Sequence, residues 1–303
     1  MAMETIDQHQ IIQFADTVHE AAQQVRSRLR NYVETRQMTG DVLAYDGIGT
    51  VETRELVGRM NTTTFDDISH TRRKLGRREF VVTLAVDDFD IEGMLSDPKS
   101  KYATACVRAM ERRFDRVVVD AMFADVQTGR NFENTVTATN DGVLTVNATG
   151  GNNLDALMTV KQNFMNNEVG NNGSLQEDYD VVMGISGSEH RTLMQIATLT
   201  SRDYSTQMAV EKGVMIMAAG MGLIPFGNLV TNPVLPLTAP GGVRTCFAMA
   251  VGGVCVGLSR DWRITVKDRP DLVNVTQVQI TGVMGAVRTE GKLIQKYTTT
   301  DIP

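Results

Sequence analysis

The alternation of apolar and polar positions is strongest between Glu79 and Ile91. In EFVVTLAVDDFDI, Phe80, Val82, Leu84 and Val86 fall on one face and Glu79, Thr83 and Asp87 on the other. That two-residue period predicts a half-buried strand. An acidic corner, EGMLSDP, follows, and beyond it the pattern becomes helical. Asp97 is placed to cap a helix, Pro98 suits its first position, and neither Pro nor Gly recurs before Gly129. The run predicts a helix of roughly 28 residues, about 42 Å long at about 1.5 Å per residue. A rod of that length suggests a part that reaches across a subunit.

The segment up to about Met38 also reads as helix. Ile11, Ala15, Val18, Ala22, Val25, Leu29 and Tyr32 recur at spacings of four and three, a short heptad seam. It is either an amphipathic helix on its own core or an arm lying on a neighbouring subunit. Gly40 to Gly58 reads as loop and short strand. Thr62 to Ile91 reads as an extended hairpin that turns at the basic run His70-Thr-Arg-Arg-Lys-Leu-Gly-Arg-Arg78. Two strands alone are marginal in water, so something beside the hairpin should hold it. Gln127 to Val146 carries a turn signal at Asn140-Asp141-Gly142. Leu154 to Met165 is helical in spacing, Tyr179 to Ile185 reads as a buried strand, and a short helix is expected near Ser188 to Ile196. Arg244 to Leu258 is a buried strand or helix, and Trp262 to Thr299 should be strands. No repeat and no low-complexity linker divides the chain.

Composition narrows the class. At 303 residues, with 42% hydrophobic and 22% charged residues, the chain can bury a sizeable core as a soluble globular protein. A net charge of -6 argues against bulk attraction to nucleic acid. No apolar run has transmembrane length, and the start, MAMETIDQHQ, is not a signal peptide. Cys106, Cys246 and Cys255 lack CxxC spacing and fit a reducing compartment. The 17 methionines are flexible fillers suited to surfaces that pack in more than one way.

Each catalytic or ligand motif fails at a residue its mechanism requires. His19-Glu20-Ala-Ala-Gln23 has glutamine where a zinc helix needs its second histidine. Asp88-x-Asp90-x-Glu92-Gly93 begins like a calcium loop, but its twelfth position is Lys99. Gly184-Ile-Ser186-Gly-Ser188 lacks the last glycine of a nucleophile elbow, and capping the next helix is the commoner role for Ser188. Gly285 to Lys292 has the wrong spacing for a phosphate loop, with Leu293 in place of the metal-binding hydroxyl. His9, His19, His70 and His190 form no ligand cluster. This reading expects no catalytic residue, no cofactor and no metal, and no enzyme. The basic run is either a solvated tip or one half of a charge pairing. Nucleic acid is disfavoured, because the run has no interleaved aromatic residue. Pairing with the acidic corner of an adjacent copy accounts for both clusters. The expected inter-subunit contacts are Ile11, Val18 and Val25 on the arm, Arg72, Arg73, Lys74, Arg77 and Arg78 on the basic run, and Asp87, Asp88 and Asp90 on the corner.

The order of these parts resembles the major capsid protein of tailed bacteriophages, with the α+β Hong Kong 97-like fold. The strongest local likeness is RRKLGRREFVVTLAVDDFDIEGMLSDPKSKYATACVRAMERRFDRVVVDAM, which looks like the stretch from E-loop to spine helix. There a DP-x-S-x-Y helix start leads to an R-x-D end, at Asp97, Pro98, Ser100, Tyr102, Ala109, Arg113 and Asp115 here. A second likeness is VTQVQITGVMGAVRTEGKLIQKY, with a G-A-x-R step at Gly285, Ala286 and Arg288. The likeness covers most of the chain in order of elements and these two stretches in residue pattern.

The resemblance implies an N-terminal helical arm over 1–40 and an E-loop over 50–93. It implies a peripheral domain with the spine helix over 94–149, an axial domain over 150–257, and peripheral-domain strands over 258–303. It implies self-assembly into hexamers and pentamers of an icosahedral shell enclosing phage double-stranded DNA. A separate scaffolding protein is expected, because the chain has no room for a scaffolding segment of its own. A portal protein is a further partner, and a decoration protein is left open. Packaged DNA lies nearby without specific contact, and no membrane is involved. The location is the virion capsid, assembled in the host bacterial cytoplasm. No covalent crosslink is inferred. The other readings are an encapsulin-like nanocompartment shell, a cytosolic enzyme with an unrecognised site, and, more weakly, a tail-tube or decoration protein.

Overall fold

The computed structural model describes residues 24–55, 65–86, 99–148, 153–169, 181–196, 217–227, 233–238, 242–269, 271 and 275–300. Two compact units emerge. One comprises Met1–Arg26, Glu79–Glu111 and Arg260–Gly282; the other comprises Ser27–Arg78, Arg112–Ser259 and Val283–Pro303. No described helix is long and apolar enough to cross a membrane.

In the first unit, the strand Arg78–Val86 alternates exposed and covered positions as its sequence period requires. Phe80, Val82 and Leu84 pack against Cys106, Met110, Val107, Ile280 and Trp262. Cys106 to Glu111 belong to helix α1, Lys99–Phe123, whose 25 residues contain neither Pro nor Gly. The Trp262 indole N–H donates to Glu111 Oε1 at 2.6 Å, so the largest aromatic side chain of this core keeps its one polar group satisfied. Gly282 is required by packing: a Cβ there would lie 2.4 Å from the Trp262 ring.

The second unit is built on a seven-stranded mixed sheet. Its order is Leu144–Asn147, Ile294–Thr300, Val243–Ala250, Val181–Ser186, Met221–Phe226 and Met217–Ala218, with Leu237–Thr238 pairing beside Val243–Ala250. Every residue of Val181–Ser186 is buried, as expected for a central strand written almost wholly in apolar residues. Helices α2, Asn153–Asn166, and α3, Gly187–Gln195, pack on this sheet; α2 buries Ala156, Leu157, Val160 and Phe164. A four-stranded sheet, in the order Val42–Ile48, His70–Gly76, Val126–Thr128 and Asn134–Val136, belongs to the same unit. Leu75 and Val126 from that sheet form a small core with Met38, Cys255 and Val287.

Four expectations need correction. The basic run is not a hairpin tip. His70–Gly76 pairs antiparallel with Val42–Ile48, from Val42 opposite Gly76 to Ile48 opposite His70. The hairpin is therefore 42–76, and Arg78–Val86 pairs instead with Val275–Arg288. The expected support is present: Arg73 pairs with Thr128 on the hairpin's other side. The helical reading does not hold to Met38, because Glu34–Gln37 is a strand parallel to Cys255–Leu258. The cap of α3 is Ser186, which accepts from the Glu189 backbone N–H; the Ser188 hydroxyl lies 2.8 Å from it. Finally, Ile294–Thr300 joins the central sheet by pairing with Val243–Ala250, where the sequence partition grouped it with the long helix.

Candidate functional site

The parity of the basic strand decides what each cation does. Leu75 points inward, so Arg73, two residues earlier, does too, while Arg72 is exposed. The Arg73 guanidinium donates to both oxygens of Asp141, at 2.7 and 2.6 Å, and also to the Arg288 carbonyl at 3.3 Å. Arg288, with no exposed surface, donates its Nε to the same carboxylate at 2.6 Å. Its Nη1 donates to the carbonyls of Met122 and Ala124 at 2.8 and 3.1 Å, at the C-terminal end of α1. One carboxylate thus joins a strand, a turn and a helix end. Burial pushes the Asp141 carboxyl up, but the hydrogen bonds and charges of Arg73 and Arg288 outweigh it and hold it below its ordinary value.

The remaining cations lie at or near the surface. Arg72 donates its Nε and Nη2 to Asp46 at 2.7 and 3.1 Å. Arg77 pairs with Asp41 at 3.3 Å. The Lys74 ammonium lies 5.9 Å from the Phe132 ring centre. Arg78 lines a groove with Lys74, Arg77, Asp120 and Asp125. The structure therefore removes Arg73 from the expected surface contacts and leaves the other four basic residues there. Val25 is exposed. Ile11, Val18, Asp87, Asp88 and Asp90 lie outside the described residues, as do His19, Asp97 and Pro98. The distal part of the hairpin carries exposed apolar side chains: Ile48, Val51, Ile68 and Phe65, the last 93% exposed. An Arg54–Asp66 ion pair and a bond from the Gly49 N–H to the Ser69 carbonyl hold its two sides together.

The strand–Ser186–helix arrangement is the context a nucleophile elbow would need, but the backbone is not strained there. Ser186 has φ -81° and ψ 163°, an extended conformation, and its hydroxyl is buried as a cap. The nearby Glu189 is 1% exposed. It is held by Asn153 Nδ2, at 3.0 Å to each oxygen, by the Tyr297 hydroxyl at 2.9 Å and by the Thr299 hydroxyl at 2.5 Å. Burial pushes its carboxyl up, and these donors only partly counter it. Burial also drives the Cys255 thiol up to about 11, out of the reactive range. These buried groups fasten the fold and leave no exposed nucleophile-base pair among them.

Residues singled out by resemblance acquire physical roles. Asp115 is fully buried and accepts from the Ser27 hydroxyl at 2.5 Å and from the N–H groups of Arg28 and Leu29 at 3.1 and 3.2 Å. It pins the turn that leads into the first strand. A Cβ on Gly285 would lie 2.1 Å from the Gly76 carbonyl oxygen, so the G-A-x-R step lets the basic strand approach and then supplies Arg288. Asp141, Asp46 and Glu189 were not foreseen as partners. The inward parity of Arg73 was readable and called for a buried acid, though not for a particular one.

The fold combines helices and sheets, its buried polar clusters fasten elements, and its hairpin exposes apolar side chains. The chain is similar in fold to solved chains from several phages. The capsid of cyanophage P-SCSP1u matches with a TM-score of 0.75 and 14% identity, over 98% of this chain and 94% of that one. The capsid of Ralstonia phage GP4 matches with a TM-score of 0.71 and 10% identity, over 100% and 98%. A chain from Mycobacterium phage Che8 matches with a TM-score of 0.67 and 14% identity, over 94% and 95%. No curated protein matches the sequence. The family model described as phage capsid protein matches residues 6–296, and the chain belongs to that family. It is a structural capsid protein of the virion, assembling with copies of itself into the shell. The α+β capsid fold expected from the sequence is the fold observed.

Proposed function

We propose that the chain tiles an icosahedral shell as hexamers and pentamers around phage double-stranded DNA. The observation that carries this reading is the 42–76 hairpin, which displays Ile48, Val51, Phe65 and Ile68 to solvent on a chain of the capsid family. An exposed apolar surface of this kind is expected to be covered in the assembled state. The hairpin takes the role of the E-loop, over 42–76 in place of 50–93. Helix α1 serves as the spine, and the seven-stranded sheet carries the axial part. The basic surface residues Arg72, Lys74, Arg77 and Arg78 meet Asp87, Asp88 and Asp90 of an adjacent copy, while Ile11, Val18 and Val25 lie on a neighbour.

Assembly takes place in the host bacterial cytoplasm with a separate scaffolding protein and a portal, and the chain has no catalytic role. One sequence must occupy several slightly different environments in a closed shell, so contacts have to be numerous and tolerant. Many weak interfaces then act together through high effective concentration. Charge reversal at Arg72, Arg77 and Arg78 to glutamate should reduce shell yield, with partial recovery when Asp87, Asp88 and Asp90 are changed to lysine in the same chain. Unchanged yield at every salt concentration, measured by sedimentation, would remove the pairing.

A further inference from the structure

The cluster at Asp141 is short of negative charge. Two buried guanidiniums, Arg73 and Arg288, share a single carboxylate. The carbonyls of Met122 and Ala124 answer part of the Arg288 charge, since a helix C-terminus carries roughly half a negative unit. Arg73 has no second acid, and its Nε, like Arg288 Nη2, is buried with no acceptor among the described residues. A buried cation without a full counter-charge is costly, so the arrangement calls for another anion.

Arg73 and Asp141 form part of the wall of a cavity of about 560 Å³. Arg72, Arg130, His70 and the hydroxyl-bearing Thr71 and Thr128 complete its polar lining, opposed by Asp46. Arg130 is exposed on that wall. Asp46 is held by Arg72, and the nearby Glu133 carboxylate is turned to the Asn131 backbone N–H at 2.8 Å. Neither acid is bonded to Arg73. The adjacent Arg72 and Arg73 on one strand and Arg130 beyond the next therefore border one space, with room for an oxygen-bearing anion.

We propose that this cavity is an oxyanion site, taking a carboxylate or phosphate-class group that completes the charge of the Arg73–Asp141–Arg288 cluster. Planar guanidiniums and hydroxyls are the donors that such oxygens require. The group comes either from an acidic side chain of a second copy or from free phosphate. The first source rests on the self-assembly of the chain; the site itself does not.

The test is the melting temperature of the full-length, unassembled chain titrated with inorganic phosphate against chloride at equal ionic strength. Phosphate should raise it, because a ligand that binds only the folded state stabilises that state. Arg130→Gln should weaken the apparent phosphate affinity roughly tenfold, and Asp46→Asn should tighten it by a similar factor, because each changes one charge on the wall. No phosphate-specific rise in the unchanged protein, or an equal rise in all three proteins, overturns the proposal. Assembled shells then identify the source. A response lost on assembly assigns the cavity to a neighbour's carboxylate, and a response retained assigns it to the free anion. Failure of the phosphate effect leaves shell formation untouched, so the two readings fail separately.

Discussion

Arg288 holds three parts of one unit together: the strand that carries it, the turn at Asp141 and the end of α1. Arg288→Met preserves bulk and leaves Asp141 held by Arg73, but it removes the donor to the Met122 and Ala124 carbonyls, and should cost about 1–3 kcal/mol in a urea melt. Asp141 also links stability to pH. Its native carboxyl lies below the ordinary value of 3.8, so its contribution is complete above that value and is lost as pH falls through the lowered one. Glu189 acts in the opposite sense. Its native carboxyl lies above 4.5, so the native state takes up a proton before the unfolded chain does. Glu189's contribution to stability therefore rises as pH falls from the raised value toward 4.5. Glu189→Ala should remove that rise and, by leaving Asn153, Tyr297 and Thr299 without their acceptor, cost about 3 kcal/mol at neutral pH. Denaturant melts across the acid range measure both effects.

At the scale of elements, the sequence was legible wherever one face alone is buried. Phe80, Val82 and Leu84 cover their core as their period required, and α1 follows from an uninterrupted run without Pro or Gly. Pairing partners were less legible. Alternation identifies a strand without choosing its neighbour, so the basic run His70–Arg78 was read as the turn of a hairpin over 62–91, although His70–Gly76 and Arg78–Val86 are strands that each pair elsewhere. The candidate site shows the same limit. Asn140-Asp141-Gly142 was visible as a turn, but its cationic partners lie 68 and 147 residues away, a distance no local pattern spans. The spacing of Gly285 and Arg288 was visible through resemblance, without its reason. A side chain at position 285 collides with the Gly76 backbone, which cannot yield as a flexible side chain does. Gly285→Ala should therefore destabilise the unit by about 1–3 kcal/mol through overpacking, and hydrogen exchange should rise selectively at the amides of 70–76.

For the molecule as a whole, the buried polar groups fasten elements of the chain, while apolar side chains such as Ile48 and Phe65 stay exposed. Methionines in number, an overall acidic charge and a hairpin bearing an uncovered Phe65 fit a subunit that meets the same neighbour in several settings. The capsid family membership makes self-assembly the property from which the rest follows. Cryo-electron microscopy of the expressed chain tests that property most directly. The account predicts closed shells in which the 42–76 hairpin of each subunit lies against another copy. Particles no larger than a monomer or small oligomer, or shells in which that hairpin touches no neighbour, would contradict it.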